Sequence, residues 1–464
     1  MISISSLRSL KMLLSDLVPD IISSIFKSCD VLTVVSTGQT CRYLHQLAFD
    51  KSVWLNLMKN LQRRSILERT CTNLESLSIA DMIGLVQRLL SGPETWGSRI
   101  DSTSEVSREV TLHTGPITLE DPGFHYSGQL LPSGRYVLVN LVDLDDGSRR
   151  LECWSVADDK LVWRHTWGMS HSVLKFATDE TEDGDSIIIM LCVRGPPDTG
   201  WSYANVLSID LREGTCTDLL TVRCPQSGTS ESLFVSPVVR GSLAVAGIAG
   251  PDPPQHIIIN WRGRSYFILG DGAAYGSQLG LTHQHLILRS SFAPEDRIHI
   301  ITHDALRPHW APLPETHDAH EYVRVSADDI PKLATFVDPD VNSPGPIYVY
   351  ENPLQDNSFR LWVHDSDNWD SELLCYRLSV PVSGEPQWSR SSVPSRVRST
   401  TYHNIPYTGH LLEYSAEEAG YSAFPPTGSA PTRIAFCGEF PEVAPYSGAL
   451  TYSTDSTVVI QYYK

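Results

Sequence analysis

The chain has 464 residues, 41% of them apolar and 19% charged, a composition typical of a globular protein with two or more domains. The formal charge of −18 is uneven, because residues 1–100 carry 11 Lys and Arg against 8 Asp and Glu, whereas the remainder carries 25 against 46. This balance of −21 beyond residue 100 argues against a nucleic-acid-binding surface there.

The cysteines and the lengths of the apolar runs indicate the cellular compartment of the protein. The nine cysteines are odd in number and scattered, without a Cys-x-x-Cys pair or a spacing typical of a zinc site. The first 14 residues lack the basic start, long apolar core and cleavage site of a signal peptide, and no run approaches 18 apolar residues. We therefore expect a cytosolic or nuclear protein without a membrane partner.

Residues 17–54 predict a cluster of short helices. Pro19 suits a first helical turn, and Asp20 favours the positive end of the helix dipole. Asp30 is expected to cap a second helix and Asp50 a fourth, with a third between them. So small a unit cannot bury all the apolar side chains that these helices carry, so we expect a surplus apolar face that docks onto something else.

This stretch resembles an F-box of the fungal type. The usual pattern is Leu-Pro, an acidic residue, a Leu/Ile run, Ile-Phe, an Asp, Cys-Arg and finally Leu-Ala-x-Asp-x-x-x-Trp. The matching residues are Leu17, Asp20, Ile21-Ile22, Ile25-Phe26, Asp30, Cys41-Arg42, Leu47-Ala48, Asp50 and Trp54. The chain departs at Val18, Cys29 and Leu44, where the pattern usually has Pro, Leu and Trp.

The resemblance implies a function for a module spanning residues 12–60. F-boxes bind the Skp-type linker subunit of cullin–RING (SCF) ubiquitin ligases, so the linker and, through it, a cullin are the implied partners. The implied contact residues are Leu17, Val18, Pro19, Ile22, Ile25, Phe26, Leu32, Val35, Cys41, Leu44 and Trp54. The alternative is a helical bundle that packs only on its own chain, which leaves the Cys-Arg pair and the final Trp unexplained.

Residues 61–97 predict a helical linker. Ser78 and Asp81 form a Ser-x-x-Asp start signal ahead of apolar residues at helical spacing, and Gly92-Pro93 ends the run. The apolar face is continuous, so we expect the helix to pack on both neighbouring domains and hold them at a fixed distance. A flexible tether is the alternative.

Residues 98–464 predict an all-β domain. Short β-branched and aromatic runs alternate with clusters of Gly, Pro, Asp and Ser, and the clearest unit, residues 132–165, reads as three strands joined by turns. Similar units begin at irregular intervals of about 40 to 65 residues, which is typical of a β-propeller.

One segment of this domain, residues 151–163, resembles the outer-strand part of a WD repeat, although Ser155 stands where the Asp of the Trp-Asp pair belongs. We predict a degenerate propeller of six or seven blades, with a β-sandwich or β-helix as the alternative. In the propeller the C-terminal strand joins strands near residues 110–119 and closes the ring, which removes exposed sheet edges.

The sequence contains little evidence for a metal-binding or catalytic site. The histidines His283, His285, His299, His303, His309, His317 and His320 lie near one another in sequence, but no cysteine or carboxylate completes a metal-ligand set at a persuasive spacing. The acidic run at residues 179–185 lacks the register of a calcium loop, and no nucleophile elbow or phosphate loop is present. We predict no catalytic residue, cofactor or metal.

The sequence therefore predicts a non-catalytic adaptor that joins an SCF ligase through the F-box and presents a protein target on the propeller. The acidic balance of the β domain predicts a Lys/Arg-rich segment in that target. Two alternatives stay open. One is an F-box protein that acts outside a ligase as an assembly factor, and the other is a propeller enzyme with a helical leader.

Overall fold

The computed structural model has a helical module at the N-terminus and a ring of sheets after it. The residues that it describes are 14, 17–69, 73–96, 104–114, 128–142, 149–167, 172–195, 202–225, 232–249, 255–270, 278–292, 295–313, 322–338, 347–365, 372–394, 405–415, 420–426, 431–434, 439–454 and 457–464. No helix among them is both long and apolar enough to cross a membrane.

The helical module contains the predicted short helices. The α-helices are Pro19–Lys27 (α1), Val31–Gly38 (α2), Arg42–Ala48 (α3), Lys51–Arg63 (α4) and Ile79–Ser91 (α5), with a 3-10 helix at Leu74–Ser76. The predicted caps are confirmed, because Asp30 accepts from Thr33 N and Asp50 accepts from Ser52 N. Ser78 and Asp81 form a complete capping box at the start of α5.

The core of the module lies between α1, α3, α4 and α5. Ile22 and Phe26 point inward from α1 and meet Trp54 and Leu57 of α4, all four being buried. Helix α5 adds Met82, Val86 and Leu89 to the same cluster. Helix α5, which lies in the predicted helical linker, is therefore packed into the module core and is not a flexible tether.

The strands follow in chain order. The first, Val106–Leu112 (β1), precedes Gly128–Leu130 (β2), Tyr136–Val142 (β3), Arg149–Ser155 (β4) and Lys160–Trp167 (β5), of which β2–β5 form blade 1. Blade 2 comprises Ser172–Glu180 (β6), Ser186–Arg194 (β7), Ser202–Asp210 (β8) and Cys216–Arg223 (β9). Blade 3 comprises Leu233–Arg240 (β10), Leu243–Ala249 (β11), Gln255–Asn260 (β12) and Ser265–Gly270 (β13).

The later blades are less regular. Blade 4 comprises Gln278–Leu281 (β14), His285–Phe292 (β15), Glu295–Thr302 (β16) and, after Ala311–Pro312 (β17) and Arg324–Ser326 (β18) return to blade 3, Ala334–Asp338 (β19). Blade 5 comprises Ile347–Glu351 (β20), Ser358–Asp365 (β21), Glu372–Ser379 (β22) and Gln387–Pro394 (β23). Blade 6 shows Leu411–Ser415 (β24), Gly420–Phe424 (β25) and Thr432–Ile434 (β26), and blade 7 comprises Glu439–Val443 (β27), Leu450–Ser453 (β28), Val458–Tyr463 (β29) and β1.

A 3-10 helix follows β16 where a fourth strand of blade 4 would otherwise begin. It spans residues 303–309 and is capped by Thr302. Pro308 lies inside it and has no N–H to give to a strand ladder. The fourth strand of blade 4 is instead β19, which pairs with β16.

The described strands form a closed ring of seven sheets, a seven-bladed β-propeller. A buried apolar cluster lies between each pair of neighbouring blades. The predicted closure is confirmed, because β1 pairs with β29 from Val106↔Tyr463 to Leu112↔Val458. A strand that precedes all the other strands thus completes the last blade, and the sandwich and β-helix alternatives are excluded.

The ring presents one face to the helical module. We call it the turn face, and it carries the turns between the first and second strands of blades 1–5 and 7, together with the segment before β24. These turns are residues 131–135, 181–185, 241–242, 282–284, 352–357 and 444–449, and the segment before β24 is residues 405–410. Residues of the module contact several of them, as described below.

The seam between β1 and β29 is expected to limit the stability of the propeller. Ile460 is fully buried there and pairs with Val110 and Thr451, so Ile460→Ala should lower the free energy of unfolding by about 2 to 4 kcal/mol. Urea denaturation followed by circular dichroism measures this loss. The control Val382→Ala alters a side chain that is 97% exposed and should change the free energy by less than about 0.5 kcal/mol. Equal effects of the two substitutions would contradict closure at this seam.

Candidate functional site

The outer face of α1 is an exposed apolar surface. Val18, Ile21 and Ile25 follow one another at helical spacing and are 59%, 47% and 37% exposed. Ile22 and Phe26 occupy the opposite side of the same helix and are buried. A helix that is apolar on both sides is normally covered on both, so the outer face lacks a cover within the described chain.

Leu32 in α2 and Tyr43 in α3 add exposed apolar surface on the next two helices. We call Val18, Ile21, Ile25, Leu32 and Tyr43 the outer apolar set. Tyr43 was not anticipated from the sequence. Ile21 matches the F-box pattern but is not among the predicted contact residues, although its i, i+4 relation to Ile25 is a usable signal.

The eleven predicted contact residues fall into three environments. Val18, Pro19, Ile25, Leu32 and Cys41 are exposed; Leu17 and Val35 are half-buried against the module core; Ile22, Phe26, Leu44 and Trp54 are buried in that core. The last four lie in the module core, where a partner could reach them only if the module opened. Trp54, for example, stacks on Phe49 with ring centroids 5.9 Å apart.

Hydrogen bonds join the start of α2 and the segment after α5 to the propeller. Leu32 N donates to Leu354 O at 2.8 Å, and Asp356 N donates to Asp30 Oδ2 at 3.2 Å, which ties the start of α2 to the turn between β20 and β21. At the other end of the module, Thr95 N donates to Lys464 O at 3.0 Å.

An ion network holds the end of α4 against the turn face. Arg64 Nε lies 3.1 Å from Glu351 Oε2, and Arg64 Nη1 lies 3.0 Å from Asp356 Oδ1. Arg240 Nη1 lies 2.9 Å from Asp179 Oδ1, and its Nη2 donates to Arg64 O at 3.3 Å. One helix end is thereby joined to blades 2, 3 and 5.

Glu351 is the buried centre of this network. Burial alone would raise the pKa of its carboxyl, but the hydrogen bond from His283 Nδ1, at 3.0 Å, and the positive charges of His283, Arg240 and Arg64 outweigh it and hold the pKa well below its ordinary value. Arg240 is charged as well, since Asp179 and Glu351 more than offset its desolvation and raise its pKa. The carboxylate is therefore an ionised anchor for the guanidinium of Arg64 and the ring of His283, with the Arg240 guanidinium close by.

A second set of contacts follows the end of α4 in the chain. Arg69 N donates to Ser133 O at 2.8 Å in blade 1, and the Arg69 guanidinium donates to Glu182 O in blade 2. Ser133 N in turn donates to Glu180 Oε2 at 2.7 Å. Burial raises the pKa of Glu180, and the hydrogen bond from Ser133 and the nearby Arg69 oppose that rise.

Three tyrosines form an apolar platform beneath the module. Tyr407 and Tyr446 stack with ring centroids 5.6 Å apart, and Tyr350 packs edge-on against both. Tyr407 and Tyr446 are buried members of the module core although they belong to the propeller. The module and the ring therefore share one core.

A polar cleft remains between α4 and the turn face. It encloses about 360 Å³ and is lined from the module by Asn60, Arg63 and Arg64, and from the propeller by the turns after β14 and β20 and by Glu182. His285 and Phe359 contribute to its lining and pack edge-to-face, with ring centroids 5.3 Å apart.

Among the described residues, no group of three or more His, Cys, Asp or Glu side chains could hold a metal ion. Instead His283 binds Glu351, and His299 Nδ1 lies 3.0 Å from Thr335 Oγ1. Burial lowers the pKa of His303 to about 4. His317 and His320 lie outside the described residues.

Comparison with known proteins adds little beyond this geometry. No family model and no curated protein match the chain. Among solved structures, it is similar to the WD40 domain of SCAP from fission yeast (10% identity, 80% of this chain and 98% of that one, TM-score 0.42) and to the Dos1 propeller (8% identity, 82% and 96%, TM-score 0.39). Such low similarity carries no argument about function.

The charge of Glu351 predicts a pH dependence. Its pKa is lower in the folded chain than the unfolded value of about 4.3, so its stabilising effect is complete above that value and disappears as the pH falls toward the folded pKa. From about pH 6 to about pH 3, wild-type protein should lose at least about 1.4 kcal/mol more free energy of unfolding than Glu351→Gln. Urea denaturation at each pH measures the difference.

At neutral pH the same substitution should cost about 3 to 5 kcal/mol, because it leaves the cations around Glu351 without their counter-charge. The matched control is Glu75→Gln, which removes an exposed carboxylate 3.5 Å from Lys59 and should cost less than about 1 kcal/mol. A Glu351→Gln protein with wild-type stability and pH dependence would show that the network does not hold the module.

Proposed function

We propose that this chain is a non-catalytic F-box adaptor of an SCF ubiquitin ligase, acting in the cytosol or nucleus. In this proposal the helical module binds a Skp-type linker and, through it, a cullin, while the propeller holds a protein target. The propeller fold is consistent with a protein-interaction adaptor. The order of helices and caps in the module supports the F-box resemblance of its sequence.

The observation that carries the proposal is the uncovered apolar face of α1. Val18, Ile21 and Ile25 leave apolar area in water on a helix whose other side is already packed, and they stay exposed although the module is docked on the propeller. Burying such a face on a partner gains roughly 25 cal/mol per Å² of apolar area. A helical linker subunit with an apolar groove fits this face.

The fixed junction between the module and the propeller explains how the proposed adaptor would act. Because the module and the ring share a core and an ion network, a target on the propeller would keep one distance and orientation relative to the linker. Ubiquitin transfer is then favoured by proximity, since the target amines are presented at a high effective concentration without chemistry by this chain.

The linker face can be tested with charge substitutions. Ile21→Asp combined with Ile25→Asp should weaken binding of a purified Skp-type linker by at least about 100-fold, because each residue contributes about 2 kcal/mol or more as an interface hot spot. Surface plasmon resonance with immobilised linker measures the change. Phe26 is left intact, since it is only 1% exposed and its truncation would damage the module itself.

Val382→Asp supplies the matched control, because it places an equal charge on an apolar side chain that is exposed in the propeller. This variant should bind the linker as wild type does, and both variants should retain wild-type circular dichroism. Unchanged linker binding by the Ile21/Ile25 variant would refute the F-box assignment. Linker binding without recovery of a cullin in the complex would favour the assembly-factor role.

A further inference from the structure

The cleft between α4 and the turn face holds polar groups that the fold does not use. Gln284 and Asn357 line it from two different blades, and within the described residues their carboxamide groups make no hydrogen bond. The carboxylate of Glu182, on a third blade, also makes no ion pair in that part of the chain. The ion network around Glu351 does not include these three side chains, so they are available to bind a ligand.

The available groups match a peptide backbone. A carboxamide offers one acceptor and two donors in a plane, so it can pair with the N–H and C=O of a peptide group at once. Two such groups on the turns of neighbouring blades suit an extended segment that runs along both turns. The volume of about 360 Å³ lies within the roughly 300 to 1,000 Å³ of ordinary ligand clefts, which occur preferentially at domain interfaces.

The charges of the cleft favour a basic side chain in that segment. Arg64 pairs with both Glu351 and Asp356, and the Glu182 carboxylate makes no ion pair among the described residues, although the Arg69 guanidinium binds the Glu182 backbone carbonyl. The lining contains three carboxylates, those of Glu182, Glu351 and Asp356, against the two guanidinium groups of Arg63 and Arg64. The domain as a whole carries −21 beyond residue 100, which adds a long-range preference in the same direction.

We propose that this junction cleft binds an extended peptide segment that carries a Lys or Arg. Gln284 and Asn357 bind the backbone of the segment, and Glu182 pairs with its basic side chain. Identifying the segment as part of a ligase target rests on the proposed function. A target bound there lies beside the helical module, because Asn60, Arg63 and Arg64 of the module line the cleft.

The test uses the full chain and three labelled probes, the peptides acetyl-Gly-Ala-X-Ala-Gly-amide in which X is lysine, glutamate or norleucine. Fluorescence anisotropy at low salt should give saturable binding of the lysine probe, at least tenfold tighter than the glutamate probe. Gln284→Ala with Asn357→Gly should weaken all binding tenfold or more. Asn357 has φ +52°, a conformation that Gly adopts freely, so this change does not strain the turn.

Glu182→Gln should abolish the preference for lysine over glutamate while retaining the backbone contribution. The matched control, Asp304→Asn, removes an exposed acid outside the cleft that pairs with Arg307, and should leave the preference unchanged. Absence of saturable binding, or equal binding by wild type and the Gln284/Asn357 variant, would overturn the proposal. Linker binding is measured on the same proteins, so a wild-type chain that binds the linker but none of the three peptides refutes the cleft proposal alone.

Discussion

The buried carboxylate of Glu351 determines how the two parts of this protein are joined. It meets Arg64 from the helical module and His283 from a neighbouring blade, while Arg240 approaches from a third element and contacts the backbone of Arg64. A charge in this position is tolerated only because it is paired and hydrogen-bonded on several sides. The ring must close correctly to bring these partners together, and the module must dock correctly to complete the set.

The same docking separates the two surfaces of the module. Its inner side is buried against the tyrosine platform and in the shared core, so only its outer side can contact another protein. The outer side is apolar, whereas the cleft beside the junction is polar and acidic on balance. The protein thus exposes two chemically different surfaces, which agrees with the proposed role as an adaptor between a helical linker and a basic target.

Local sequence signals predicted much of this fold. Asp30, Asp50 and Ser78 cap helices as expected, because capping depends on residues within one turn. The side of α1 that meets the core was not readable, since Ile21 and Ile22 are adjacent and equally apolar. The junction was also beyond prediction, because Arg64 and Glu351 are 287 positions apart and neither has a local pattern that marks it.

The most direct test of this account is calorimetric titration of the full chain with a purified Skp-type linker at several temperatures. Burial of the outer face of α1 predicts saturable one-to-one binding with a clearly negative change in heat capacity, the marker of apolar surface removed from water. No binding, or binding whose heat-capacity change is near zero, would contradict the claim that this face is where the protein joins its partner.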